Sequence, residues 1–146
     1  MFKSILVPLD GSEYSRLALN VACKLVSPEG GQIVLLHIPE PLPNEPLLIW
    51  GLIAVPMGAT QEQRDQAGQK LLDRAIDAAR AEGVETITPM LVHGDPRLVI
   101  LSAAKEKGVE AIVMGSRGLS DIKGLMVGSI AHKVSHSAEC HVITVH

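Results

Sequence analysis

Aromatic side chains are almost missing from this sequence: one Phe, one Tyr and one Trp make up 2% of 146 residues. Proteins that track a nucleic-acid strand stack bases on aromatic rings along a basic groove. The basic groove is missing too, because 13 Lys and Arg face 16 Asp and Glu, for a net charge of -3. No nucleic-acid partner is expected. Cysteine is equally scarce. Cys23 and Cys140 are the only two, they have no metal-ligand spacing, and in a chain able to build its own core they argue for a reducing compartment. Long apolar runs are absent: the longest, residues 47–55 (LLIWGLIAV), has nine residues, under half of the ~20 needed to cross a bilayer. The opening MFKSILVPLD reaches an aspartate at position 10 without the apolar region or small-residue cleavage site of a secretory leader. The expectation is a cytoplasmic protein with no membrane partner.

What is present is enough apolar surface for one core. Hydrophobic residues make up 47% and charged residues 20%, which fits a single globular domain of ordinary size. Residues 3–9 are short, rich in Ile, Leu and Val, and stopped by DGS, so they predict a buried strand and a turn. Tyr14, Leu17, Ala18, Val21, Ala22 and Leu25 then recur at helical spacing, with Ser12 placed to cap the helix. Residues 32–38 (QIVLLHI) are too apolar for a one-sided sheet and predict an inner strand. Between 39 and 59 five prolines break the pattern, predicting a long loop or lid. Thr60 and Gln63 form a capping-box pair ahead of Leu71, Leu72, Ala75, Ile76 and Ala79. Strands follow at 86–92 and 109–115, separated by a helix with Asp95 as cap, Pro96 at its first position and Gly108 at its end. A short helix over 129–137 and a last strand, HVITVH, close the chain. Alternating strands and helices predict an α/β domain with a doubly wound parallel sheet.

Ligands of such sheets sit at the carboxyl ends of strands, where neighbouring connections leave in opposite directions. That singles out the loops after strand one (Asp10, Gly11, Ser12), strand two (Ile38) and strand four (Gly115 onward). The last of these reads GSRGLSDIKGLMVGSIAHKV and ends at a helix N-terminus, where free N–H groups and the helix dipole favour anions. Two readings of its glycines stand side by side. Gly115 and Gly118 with Gly128 and Ser129 could cradle a phosphate, with Arg117 or Lys123 adding charge. Equally, Gly115 could end a strand, Gly118 and Gly124 bend a loop, and Ser129 cap a helix. Neither G-x-x-x-x-G-K-[ST] nor a G-x-G-x-x-G after the first strand is present to decide between them.

The spacing itself is specific. GSRG at 115–118, nine residues, then GS at 128–129 fits G-x-x-G-x9-G-[ST]. With ILVPLDGS at 5–12, LLHI at 35–38, HGDP at 93–96, IVMGSRGL at 112–119 and GSIAHKV at 128–134, the chain resembles the universal stress protein family along its whole length. The resemblance implies one domain over 1–146, with an open five-stranded parallel sheet in the order 3-2-1-4-5. The fold is then Rossmann-like, of the adenine nucleotide alpha hydrolase-like kind. It also implies an ATP site, with or without Mg2+. Pro8, Leu9 and Asp10 match the family's first adenosine element and Ile38 the second. Met114, Gly115, Ser116, Arg117, Gly118, Gly128, Ser129 and Ile130 match its phosphate element.

Two departures stand out. Ala131 occupies a position where some members carry a Thr or Ser that adds a phosphate hydrogen bond. CHV at 140–142 replaces the family's usual CPV, which restores an N–H to a strand implicated in family dimers. The functional expectation is a cytoplasmic, homodimeric, adenine-nucleotide-binding regulatory module, pairing through the C-terminal edge strand and acting on a regulatory protein partner. Its rivals are a dimeric module that binds no nucleotide and a slow ATPase. H-x-G-H and S-G-G-x-D-S, the marks of ATP-using enzymes on related folds, are absent, and no poised base or nucleophile is legible. His132 and His136 are four apart on a helix, but without a third ligand they read as surface residues. Residues 47–55 read as a lid over adenine, an apolar patch for a partner, or a loop packed over the sheet edge.

Overall fold

Among the described residues seven short runs of β-branched and aliphatic residues become strands, and five of them form the main sheet. The computed structural model describes residues 1–40, 47–50, 52–118 and 128–146. Its main sheet contains β1 (Ser4–Leu9), β2 (Gln32–His37), β5 (Thr86–Leu91), β6 (Ala111–Gly115) and β7 (His141–Val145) in the order β5-β2-β1-β6-β7, and β3 (Leu47–Ile49) pairs separately with β4 (Ile53–Val55). All neighbours in the main sheet run parallel. Counting only these five strands, this is the arrangement expected, with the labels moved by the extra hairpin of β3 and β4.

Period-two alternation divides the core into two halves. Ile5, Val7, Leu9, Ile33, Leu35, Ala111 and Val113 face one side, where α1 (Glu13–Leu25) and α2 (Gln61–Ala81) pack. Leu6, Val34, Leu36, Ile112 and Met114 face the other, against α3 (Pro96–Lys107) and α4 (Ser129–Ser137). The three inner strands are therefore covered on both faces, as parallel sheets require. Pro89 lies on the edge strand β5, opposite Leu35, where its missing N–H interrupts no inner ladder.

Helix starts follow the local chemistry. Thr60 accepts the Gln63 N–H and Gln63 returns a bond to the Thr60 N–H, completing the capping box. Asp95 caps α3, with Pro96 at its first position. Within α1 the buried face is Ser15, Ala18, Leu19 and Ala22, and Leu17 is 40% exposed. The buried face is turned from the sequence stripe by roughly a fifth to a quarter of a turn, because small residues at 15, 18 and 22 let the helix sit close to the sheet and turn Leu17 outward.

The expected loop over 39–59 is corrected. Residues 41–46 and 51 lie outside the described residues, but β3 and β4 form an antiparallel hairpin with Ile49 opposite Ile53. Ile49, Trp50, Ile53 and Val55 are buried in the α1 and α2 half of the core. Neither a lid nor an exposed partner patch describes these side chains. Prolines hid the strand signal, and the apolar run was long enough for a hairpin.

The hairpin is stapled to the turn after β1. Trp50 donates its backbone N–H to the Gly11 carbonyl (3.3 Å) and its indole N–H to the Ser12 carbonyl (3.0 Å). Gly11 has φ +87°, and a Cβ there would lie 2.5 Å from Ile49 Cγ2. Both backbone strain and collision therefore oppose any side chain. Gly11→Ala should lower the unfolding free energy by about 2–3 kcal/mol in urea melts. Gly30→Ala, at φ +71° with no neighbour within 4 Å, should lose only about 1 kcal/mol, the backbone part. Equal losses would show that the Ile49 contact yields freely.

Candidate functional site

The chain changes direction between β1 and β6. From β1 it crosses by α1 to β2 on one side; from β6 it crosses by α4 to β7 on the other. The two loops cannot cover the gap between these neighbouring strands, and a crevice remains at their carboxyl ends. The structure has a cleft there with about 530 Å³ of empty space, counting its open mouth. Two larger hollows, about 790 and 840 Å³, lie at the amino ends of strands. Size therefore does not select the site; position and chemistry do.

Pro8, Leu9, Asp10, Ile38, Met114, Gly115, Ser116, Arg117, Gly118 and Ile130 all line this cleft. Gly128 and Ser129 do not line it but start the helix beside it: Gly128 donates its N–H to the Ser116 carbonyl at 2.6 Å. Residues 119–127, with Lys123 and Gly124, lie outside the described residues. Leu36, Glu40, Ser15, Pro96, Ile100 and Ala131 complete the lining and were not singled out as site residues, although Ala131 was noted. Two of them were recoverable. Leu36 lies two residues before Ile38 and thus on the same strand face, and Ile100 lies one helical turn after Pro96.

The floor is apolar, formed by buried Leu36, Ile100, Met114 and Ala131. Polar groups collect at one end. The Asp10 carboxylate accepts the Ser12 N–H at 2.8 Å, and the Ser12 hydroxyl accepts the Ser15 N–H at 3.2 Å. Ser12 is thus the cap of α1, leaving Asp10 to shape the turn at the cleft edge. Ser116 is only 1% exposed. Its N–H donates to the Val145 carbonyl at 2.8 Å, and its hydroxyl pairs with His146 Nδ1 at 3.1 Å. The end of β7 therefore anchors the first half of the glycine motif.

The glycines have different reasons to be bare. A Cβ on Gly115 would lie 2.6 Å from Tyr14 Cβ and 2.9 Å from its carbonyl carbon, so close packing of α1 is enough to require it. Gly128 is another matter. The other three helices carry a side-chain cap from Ser12, Thr60 or Asp95, whereas α4 begins at Gly128 with no side-chain cap bond. Ser129 is the first helical residue and is exposed, not the cap. Among the described helices, the one N-terminus without a side-chain cap bond borders the cleft, where its amides suit an external anion. Arg117 is half-buried at the same end.

At the rim, Arg97 pairs with Asp95 at 3.3 Å and holds that exposed carboxyl below its usual value. Behind the cleft, His37 is buried and shares a 2.7 Å hydrogen bond with the Leu9 carbonyl. Since a carbonyl only accepts, Nδ1 carries the proton. No group of three or more His, Cys, Asp or Glu residues able to hold a metal exists among the described residues. The His132 and His136 rings pack at a 57° tilt with centroids 4.5 Å apart, with no third ligand among the described residues. No described helix is long and apolar enough to cross a membrane.

Comparison with known proteins agrees with the fold. The family model described as the universal stress protein family matches residues 1–146. Universal stress protein YxiE of Bacillus subtilis is 37% identical over 148 residues, with 99% of each chain covered. A solved universal stress protein in complex with cAMP has a TM-score of 0.73 at 23% identity, covering 99% of this chain and 97% of that one. A universal stress protein family protein from Arabidopsis thaliana with AMP bound has a TM-score of 0.66 at 21% identity, covering 98% and 90%.

Burial of His37 has a pH consequence. Desolvation lowers its pKa from the ordinary 6.5, although the Leu9 carbonyl and the charges of Asp10 and Asp65 pull the other way. As pH falls past that ordinary value, the unfolded chain takes up a proton there and the folded chain does not. Stability is therefore full above it and drains away toward the lower folded pKa. Urea melts between about pH 7 and pH 5 should show a shallower loss of stability for His37→Leu than for wild type. Parallel curves would contradict the buried, neutral ring.

Proposed function

The chain belongs to the universal stress protein family, and on that premise we propose that it is an adenine-nucleotide-binding regulatory module, cytoplasmic and homodimeric, with ATP as its ligand. The observation that carries this reading is the uncapped N-terminus of α4 beside the cleft at the strand switch point. The adenosine end lies over the apolar floor between Pro8, Leu9 and Asp10 on one side and Ile38 on the other. The phosphates lie toward Met114, Gly115, Ser116, Arg117, Gly118, Gly128, Ser129 and Ile130, with Mg2+ accompanying them. The residues fit such a ligand chemically. An apolar slot accepts a planar base, a carboxylate accepts ribose hydroxyls or a base amine, and helix amides with one guanidinium face anionic oxygens. The cAMP and AMP held by the two solved relatives support the adenine part.

Regulation follows from differential binding: ATP shifts the population of states only by the difference in its affinity for them. A module that reports nucleotide occupancy to a protein partner needs no fast chemistry. The open edge of β7 offers unpaired backbone groups to a second copy.

Calorimetric titration of nucleotide-stripped protein with Mg-ATP should show saturable binding. Gly128→Val, confirmed as folded by circular dichroism, should bind at least about tenfold more weakly, since a branched side chain covers the amides. Absence of binding in the wild type would favour the nucleotide-free dimer. Sedimentation equilibrium should give twice the 15.6 kDa chain mass, and a monomer over a wide concentration range would remove the dimer.

A further inference from the structure

His37 sits between the two backbone elements of the adenosine end without lining the cleft. Its ring lies on the α2 side of the sheet, while Ile38, the next residue, lines the cleft. Leu9 and His37 are the last register pair of β1 and β2. The ring N–H reaches the Leu9 carbonyl at 2.7 Å, and the His37 carbonyl accepts the Val92 N–H at 3.1 Å. Each bond fixes a peptide plane. The oxygen of Leu9 and the N–H of Asp10 belong to one planar peptide, and the oxygen of His37 and the N–H of Ile38 to another. Holding both oxygens therefore orients both amides at the cleft and the turn in which Asp10 accepts the Ser12 N–H.

The ring is also braced from behind. A Cβ on Gly68 of α2 would lie 2.5 Å from His37 Cδ2 and 2.9 Å from Nε2. Glycine at that helical position costs propensity, and the structure uses the space for the imidazole. With His37 only 6% exposed, the ring has no solvent-facing alternative. We propose that His37 is a positioning residue, whose ring sets the orientation of the Leu9-Asp10 peptide against the main chain at Ile38, itself held by the backbone bond to Val92, and so governs affinity at the adenosine end. This inference rests on the adenine-nucleotide reading above, deepening it to a residue that never touches the ligand.

The test uses the full chain with His37→Leu, which removes the donor, His37→Asn, which keeps an N–H near the Nδ1 position, and Gly68→Ala, which displaces the ring without touching either strand. In ligand-free protein, amide exchange at Asp10, Gly11 and Ser12 should rise about tenfold in His37→Leu and Gly68→Ala relative to the core amide of Val113, and His37→Asn should restore most of the protection. Calorimetry should show ATP binding weakened about tenfold in the same two variants, with inorganic tripolyphosphate bound as by wild type. Unchanged ATP affinity and exchange would overturn the proposal. A parallel loss of ATP and tripolyphosphate would also overturn it, since general loosening acts on both ends. If the wild type binds no ATP, the functional reading fails separately, and exchange alone decides the positioning: raised rates uphold it, unchanged rates end it.

Discussion

A parallel strand cannot reach its neighbour without crossing a face of the sheet, and this constraint organises the rest of the molecule. Right-handed crossovers place α1 and α2 over one face and, once the chain turns back after β5 to reach β6 beside β1, α3 and α4 over the other. The reversal leaves β1 and β6 adjacent, with their following loops diverging. A cleft at that point follows from connectivity. Its contents are left to the residues that happen to end those strands.

Those residues divide the work. Apolar side chains of β2, α3 and β6 make the floor, and the polar groups at the edge are mostly engaged with the chain itself. Asp10 accepts a turn N–H, Ser12 caps α1, and Ser116 is tied to β7 and to Gly128. Such internal bonding holds residues 10–12, Ser116 and Gly128 in place before any ligand arrives, which reduces the ordering cost of binding. The exception is the first turn of α4, where Gly128 supplies no side-chain acceptor. A helix start with no side-chain cap beside these bonded turns suits an anion.

Much of the fold was legible because buried parallel strands announce themselves. Residues 33–36 of β2 (IVLL) are apolar on both faces, and the caps at Thr60 and Asp95 carry their signals within three residues. The glycine motif was legible through its spacing. What stayed hidden depends on contacts distant in sequence. The rotation of α1 follows from how closely the sheet lets it approach, so the apolar stripe through Leu17 misled. The hairpin over 47–55 was masked by flanking prolines, although its apolar residues belong to the core. Gly115 carries a packing demand from Tyr14, and Gly68 one from His37; neither partner is visible from local spacing. His37 itself reads as one more residue of an inner strand until its bond to a carbonyl 28 positions away appears.

The central claim is that an adenine nucleotide occupies the carboxyl-end cleft. Its most direct test is the mapping of backbone amide chemical shifts by NMR during titration with Mg-ATP. The account predicts saturable shifts at Asp10, Ile38, Gly115, Gly118 and Ile130, with Gly30, Gly83 and Gly108 at the opposite end unmoved. Shifts confined to the amino-end hollows, or none at saturating nucleotide, would contradict it.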